Sequence, residues 1–325
     1  MNRRFRAGAW MAGGTPLLVA FGLGGCGAFG EKPVTVREST WSPAAGIEGI
    51  RLETDHYDLK ITATDPVLRQ ALPNFLETTF AEYNRLLPPA IGHPRKLEVY
   101  LFATREQWAA FTKLFVPQRA QVYLHIKAGG YVEPQTATAV VWDLGRDSTL
   151  TLLAHEGFHQ YMAKFFPEPI VAWLNEGLAT QWESFDLRSD GRPRFTPRLN
   201  YFRRNNLREG LSSPQAWIPL RTLLAMNAGQ AVVQTGQVTR GYYAQVWSLV
   251  LFLREGGVRD YTRSFTRLLA DLGTQHMHHN IRAYRAAKPE AGDASYGELI
   301  LRRYITEDLD TFERQYRDFC EKLVR

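Results

Sequence analysis

Cysteine is almost absent from this chain. Only Cys26 and Cys320 occur among its 325 residues, so no disulfide framework staples the fold. A surplus of one charge is missing as well. The formal net charge is +6, yet Arg3, Arg4 and Arg6 all stand within residues 1–25, where there is no acid. Beyond residue 25 the balance is 36 Lys+Arg against 33 Asp+Glu, or +3. That near-neutral remainder gives no electrostatic footprint for a nucleic-acid partner. The apolar run from Ala7 through Leu23 is rich in glycine and broken by Pro16, which argues against a spanning helix. No internal repeat is visible. What remains is 45% hydrophobic and 22% charged, ordinary for a globular chain long enough for one two-lobed domain or two.

Against this plain background one stretch stands out. His155-Glu156-Gly157-Phe158-His159 is followed by Trp173-Leu174-Asn175-Glu176-Gly177-Leu178-Ala179. Imidazoles four apart on a helix share one face, with Cβ atoms about 6 Å apart. Both rings then reach a single metal ion. Glu156 is close enough to take a proton from a water at that metal. Such zinc sites need a third protein ligand and an open position, and Glu176, at the start of the next predicted helix, supplies the ligand. The surrounding residues Leu150, Leu152, Leu153, Ala154, Phe158 and Met162 are apolar. Two imidazoles and a carboxylate in that setting are costly to bury unless a metal or polar partners compensate. Pro167 and Pro169 break the chain between the two helices, which lets them pack antiparallel. Glu183 falls seven residues beyond Glu176, on the same predicted helical face.

These motifs, read together as H-E-x-x-H and W-L-N-E-G-L-A-x-x-x-E, resemble the gluzincin metallopeptidases. The likeness is nearest to the aminopeptidase N branch and to related bacterial peptidases of unknown substrate. It is specific over residues 150–185 and weaker over 241–254. The resemblance implies His155, His159 and Glu176 as ligands of one Zn2+ per chain and Glu156 as general base. It also implies an oxyanion-stabilising tyrosine at the start of a later apolar helix, a place similar to that of Tyr243. Read from the residues alone, Tyr243 is equally a core tyrosine of an amphipathic helix, and Tyr242 is the second choice. Glu183 is expected to orient the metal shell, and Asn175 to cap or brace the helix that carries Glu176. The glycine-rich, glutamate-bearing motif that anchors a substrate amine in aminopeptidases has no Met-Glu-Asn core here. Glu133 is therefore read as a loop or strand acid.

Residues 1–25 have the parts of a secretory signal: a basic start, an apolar middle and a small-residue exit, Leu23-Gly24-Gly25, directly before Cys26. The exit resembles the lipobox of bacterial lipoproteins, which implies lipidation of Cys26. Gly27 in place of Asp implies an outer-membrane destination, facing the periplasm. Cys320 is then alone, a buried thiol in a helical pattern with Phe312, Tyr316, Phe319 and Leu323.

The predicted fold class is α+β, gluzincin-like, with a small N-terminal sheet lobe and a mostly helical C-terminal lobe flanking a zinc cleft. Residues 26–48 read as a tether, and 49–325 as the peptidase domain, its sheet lobe over 49–146 and its helical lobe over 147–325. Strand patterns fall at 50–62, 96–102, 121–126 and 136–142. The last is expected to be an edge that holds extended peptide by main-chain pairing. Helical patterns fall at 65–87, with Asp65 as cap and Pro66 at the first position, and at 105–115. Asp147 or Ser148 is expected to cap the zinc helix. From there the chain reads as helical to its end, with later helices at 198–210, 217–226, 241–255, 259–272, 294–304 and 306–324. The His276-Met277-His278-His279 tract reads as a solvated loop, and the dense arginines over 188–208 as a solvated, turn-rich face.

The expected function is zinc-dependent amide hydrolysis of a peptide or protein, or of cell-wall peptide, by a lipid-anchored protein of the bacterial envelope. A lipid-anchored binding or assembly module with little turnover is the alternative from another class, and a cell-wall amidase is a third.

Overall fold

The computed structural model describes residues 33–44, 47–92, 95–127, 129–166, 168–213, 215–226, 236–272, 274–289 and 292–325. Cys26 and the signal-like segment lie outside them.

The sheet begins earlier than the sequence suggests. Arg37–Ala44 (β1), placed in the tether by its composition, pairs antiparallel with Ile47–Glu53 (β2). Pairing supplies the backbone partners that a tether leaves to water. Tyr57–Ile61 (β3) follows antiparallel, and Leu97–Phe102 (β4) lies parallel to β3. Gly130–Glu133 (β5) and Thr138–Trp142 (β6) form a hairpin whose β6 strand is parallel to β4. The order is β1-β2-β3-β4-β6-β5. The edges are therefore β1 and β5, the latter in the stretch read as a Gly-Gly loop, and β6 is internal. All five residues of β6 are buried, as a strand covered on both faces requires.

The period-2 alternation of β4 explains the layering. Leu97, Val99 and Leu101 join the main core, while Tyr100 and Phe102 pack into a second, aromatic cluster around Trp108. Helix Arg105–Phe115 (α2) covers that second face. The main core is shared with Pro66–Leu86 (α1), which starts as its residues dictate: Asp65 accepts hydrogen bonds from the Val67 and Leu68 amides, and Pro66 needs no partner. The 121–126 strand is replaced by a short helix, Ala120–Tyr123 (α3). Val122 is exposed there.

Arg146–Phe165 (α4) lies against β4, β5 and β6 and alongside α1. Its start is set by Asp143, which accepts from the Gly145 amide and the Thr149 hydroxyl, with Gly145 at φ 89°. Asp147 and Ser148 fall inside the first turn and do not cap it. Ala172–Ala179 (α5) follows. A hairpin, Phe185–Leu187 (β7) with Pro193–Phe195 (β8), then interrupts the expected run of helices. Tyr201–Ser212 (α6), Leu220–Ala225 (α7), Gly236–Glu255 (α8), Arg259–Asp271 (α9), Gln275–Ala287 (α10), Tyr296–Tyr304 (α11) and Leu309–Val324 (α12) complete the second lobe. The histidine tract belongs to α10, held by buried Met277 and Ile281. The observed class is mixed α+β, with a small N-terminal sheet and a helical C-terminal part. Helix α8 is the axis of the helical part, buried from Ala244 to Leu253. Cys320 is a buried free thiol against Ser248.

Candidate metal centre

The site is made where α4 and α5 meet. Helix α4 is fixed in depth by side chains that reach its backbone and by its own polar contacts. Tyr83 donates to the Ala154 carbonyl at 2.5 Å, and Gln160 donates to the Glu98 and Ala137 carbonyls at 2.6 and 2.9 Å. The glycine between the histidines stands where a side chain would be tightly placed. A Cβ at Gly157 would stand 3.0 Å from the Tyr83 hydroxyl. Helix α5 is set by a similar close approach. A Cβ at Gly177 would stand 2.6 Å from Val250 Cγ2 and 2.7 Å from the Val246 carbonyl, so only glycine lets α5 lie this near α8.

With both helices placed, three donor atoms converge. His155 Nε2 is 3.2 Å from His159 Nε2, and Glu176 Oε2 is 3.4 Å from each. Glu176 Oε2 is buried and has no hydrogen-bond partner among the described residues. Three donors bound at about 2.0–2.1 Å to one tetrahedral zinc stand about 3.3–3.4 Å apart, which is the spacing observed. Two imidazoles and one carboxylate also match zinc in ligand type. The residues therefore fit the ion that the motif implies.

The electrostatics follow from the same convergence. Burial would lower the His155 pKa, but the Glu176 and Glu183 carboxylates outweigh it and push the group up to about 10. Burial would raise Glu176, yet the two imidazoles hold it far below the usual carboxylate range. A cation held at the three donors would take the place of the His155 proton. Glu156, one residue along α4, is raised by burial and lowered less by His159 and His155.

Around the donors stands a second layer that the sequence located only in part. Glu183 Oε1 is 2.9 Å from His155 Nδ1, as its expected orienting role requires. It does not share a helical face with Glu176, because α5 ends at Ala179 and a 3-10 turn, Thr180–Trp182, carries the chain round to Glu183. Arg203 closes on the same carboxylate in bidentate fashion, at 2.6 and 2.7 Å, and Asn200 donates to it at 3.0 Å. Arg203 had been grouped with the solvated arginines. The overlooked signal is local: Asn200 caps α6 by accepting from the Arg203 amide, which fixes the two residues on one first turn. Asn175 lies in the first turn of α5 with its amide hydrogen-bonded to the Val171 carbonyl. Its side-chain oxygen is buried without a partner among the described residues, as is His159 Nδ1.

Tyr243 packs its ring 6.3 Å from the His155 ring and under the Arg203 guanidinium at 5.0 Å. Its phenol is pushed well above its ordinary value by burial and by Glu176, so it stays a hydrogen-bond donor. Tyr242 points into the core, fully buried. Between the two tyrosines it is Tyr243 that stands beside the donors. Glu133 is a strand acid, nearly fully buried, paired with Arg119 and hydrogen-bonded by Tyr123. Edge strand β5 borders α4, with Gly129 against Leu152.

Compared with known proteins, the chain matches no family model, no curated protein and no solved structure.

Proposed function

We propose that this protein is a zinc-dependent peptidase of gluzincin type. The observation that carries the reading is the triangle of His155, His159 and Glu176 donor atoms with Glu156 on the adjoining position of the same helix. A zinc ion held by these residues supplies Lewis acidity toward a carbonyl oxygen and acidifies water there. Glu156 accepts the proton of the attacking water and returns it to the leaving amine. Tyr243, kept protonated, donates to the oxygen that gains charge. The free side of β5 offers backbone groups to an extended peptide, which would lie beside α4. Glu183, Arg203 and Asn200 keep His155 in one orientation, with Nε2 toward the other donors.

By the same proposal the protein works at a bacterial cell envelope, anchored by lipid on Cys26 at the outer membrane and facing the periplasm. No helix among the described residues is long and apolar enough to cross a membrane. The substrate class is peptide or protein, cell-wall peptide included.

The test is cleavage of a peptide library and of cell-wall peptide by the purified protein. Hydrolysis is expected to stop with a chelator, return with zinc and be absent in Glu156→Gln. If zinc-loaded wild type and Glu156→Gln are equally inactive on every substrate, the reading fails, and a binding module with a structural metal replaces it.

A further inference from the structure

One cavity of the molecule is not used by the proposed chemistry. A cavity of about 450 Å³ opens between the C-terminal part of α1, the β7–β8 hairpin and the end of α8. That is within the usual range for small-molecule sites, about 300–1,000 Å³. No metal donor lines it. Four arginines do, Arg85, Arg188, Arg194 and Arg254, against one acid, Glu82. Glu82 is engaged by Arg85, and Arg194 reaches Asp186 outside the cavity.

Arg254 is the informative member. It is partly buried and makes no hydrogen bond or ion pair among the described residues. The neighbouring acid, Glu255, pairs instead with Arg198. Burial holds the Arg254 guanidinium below its usual value, with Glu255 opposing this and Arg85 adding to it. A partly buried guanidinium that forms no ion pair of its own and stands near a second cation gains from an anion that joins it. The lining also has an apolar part: Trp182 and Phe195 pack edge to face at 5.0 Å, and Leu86 and Pro193 line the cavity with them.

We propose that this cavity binds a phosphate ester, with the phosphate between Arg254 and Arg85 and the organic part against Trp182 and Phe195. The guanidinium fork matches phosphate oxygens in a bidentate manner. The several arginines around one volume favour a group of more than one negative charge over a carboxylate. The volume exceeds what a lone ion fills. The source of the phosphate is a soluble ester or an anionic lipid headgroup, and the experiment separates them.

Thermal unfolding of the purified full chain is followed as glycerol 3-phosphate replaces chloride at constant ionic strength. Wild type is expected to show a saturable rise in Tm. Arg254→Ala and Arg85→Ala are each expected to weaken the apparent affinity at least tenfold. In chloride alone Arg254→Ala is expected to be no less stable than wild type, since it removes a partly buried charge that forms no ion pair. Vesicle flotation then compares wild type with Arg254→Ala on phosphatidylcholine with and without phosphatidylglycerol. Both proteins carry the same N-terminus, so a difference that requires phosphatidylglycerol assigns the lipid headgroup. A tenfold effect confined to glycerol 3-phosphate assigns a soluble ester. No saturable shift in wild type, or the same shift in both variants, overturns the proposal. Should Arg254→Ala not fold, Arg85→Ala decides alone, because its side chain is exposed. Zinc content and peptide hydrolysis are read in parallel and are expected to be unchanged, so this outcome is independent of the metal centre.

Discussion

Glu183 Oε1 sits 2.9 Å from His155 Nδ1, and the same carboxylate accepts from Nε and Nη2 of Arg203. One carboxylate therefore orients an imidazole of the proposed metal site and neutralises a buried guanidinium. Glu183→Gln is expected to weaken zinc affinity about 10–100-fold, measured by competition with a chromogenic chelator. It also leaves Arg203 buried without its counter-charge, at about 3–5 kcal/mol of stability. Replacing both, as Glu183→Leu with Arg203→Met, is expected to cost less than the sum of the single losses. Strict additivity in denaturant titrations would show that the two side chains do not act as a pair.

Glu156→Gln keeps the shape of the site and removes the proposed base. Zinc content and Tm are expected to stay near wild type, with hydrolysis down by about 10²–10⁴-fold. Tyr243→Phe is expected to lose less than Glu156→Gln, with the metal again retained. Metal analysis alongside kcat decides the point: a variant that loses zinc together with activity would assign that residue to the shell instead.

Gly177→Ala introduces a methyl group into a space already closed by Val250 and the Val246 carbonyl. Because one of those neighbours is backbone, α5 must shift from α8. The expected cost is about 1–3 kcal/mol, with a drop in zinc affinity because Glu176 is the preceding residue. A fully stable variant with wild-type zinc affinity would mean that α5 is held less tightly than its packing indicates.

The pair His56–Glu77 ties the β2–β3 turn to α1, with Nδ1 2.6 Å from Oε2. The hydrogen bond to Glu77 raises His56 above its ordinary value. Glu77 is lowered overall, since the bonds from His56 and Thr54 outweigh its burial. The histidine term is thus fully present below about pH 6.5 and fades as pH rises through the raised value. The glutamate term is present above about pH 4.3 and fades as pH falls through the lowered one. Half-exposed His56 is screened by solvent, so its share is about 0.5 kcal/mol or less. The Tm difference between wild type and His56→Ala is expected to be largest near pH 5–6.5. A difference that is flat from pH 4 to 9 would refute the coupling.

Much of the donor set was legible in the chain because it depends on local geometry. A helix places His155 and His159 on one face whatever surrounds it, and Glu156 comes with them. Asp65 and Pro66 likewise marked the start of α1, and the alternation of Leu97, Val99 and Leu101 marked β4. Elements whose identity depends on partners were not legible. Residues 37–44 look like a tether until β2 pairs with them. Gly130–Glu133 looks like a loop until β6 lies beside it, and the β7–β8 hairpin has too few residues to show a period.

What the sequence determined by itself was therefore the periodic part: two imidazoles and a carboxylate on one helix, a second carboxylate soon after, and a chain of strands followed by helices. Only the tertiary structure decided that Glu176 meets both imidazoles at 3.4 Å, that Arg203 is buried on Glu183, and that Tyr243 rather than Tyr242 borders the donors. It also decided that β5 is an edge and that Arg254 stands unpaired in a cavity. The reason is physical. Spacing of a few residues fixes neighbours along a helix or strand, whereas the approach of Gly177 to α8, or of Asn200 and Arg203 to Glu183, is set by which surfaces exclude water together.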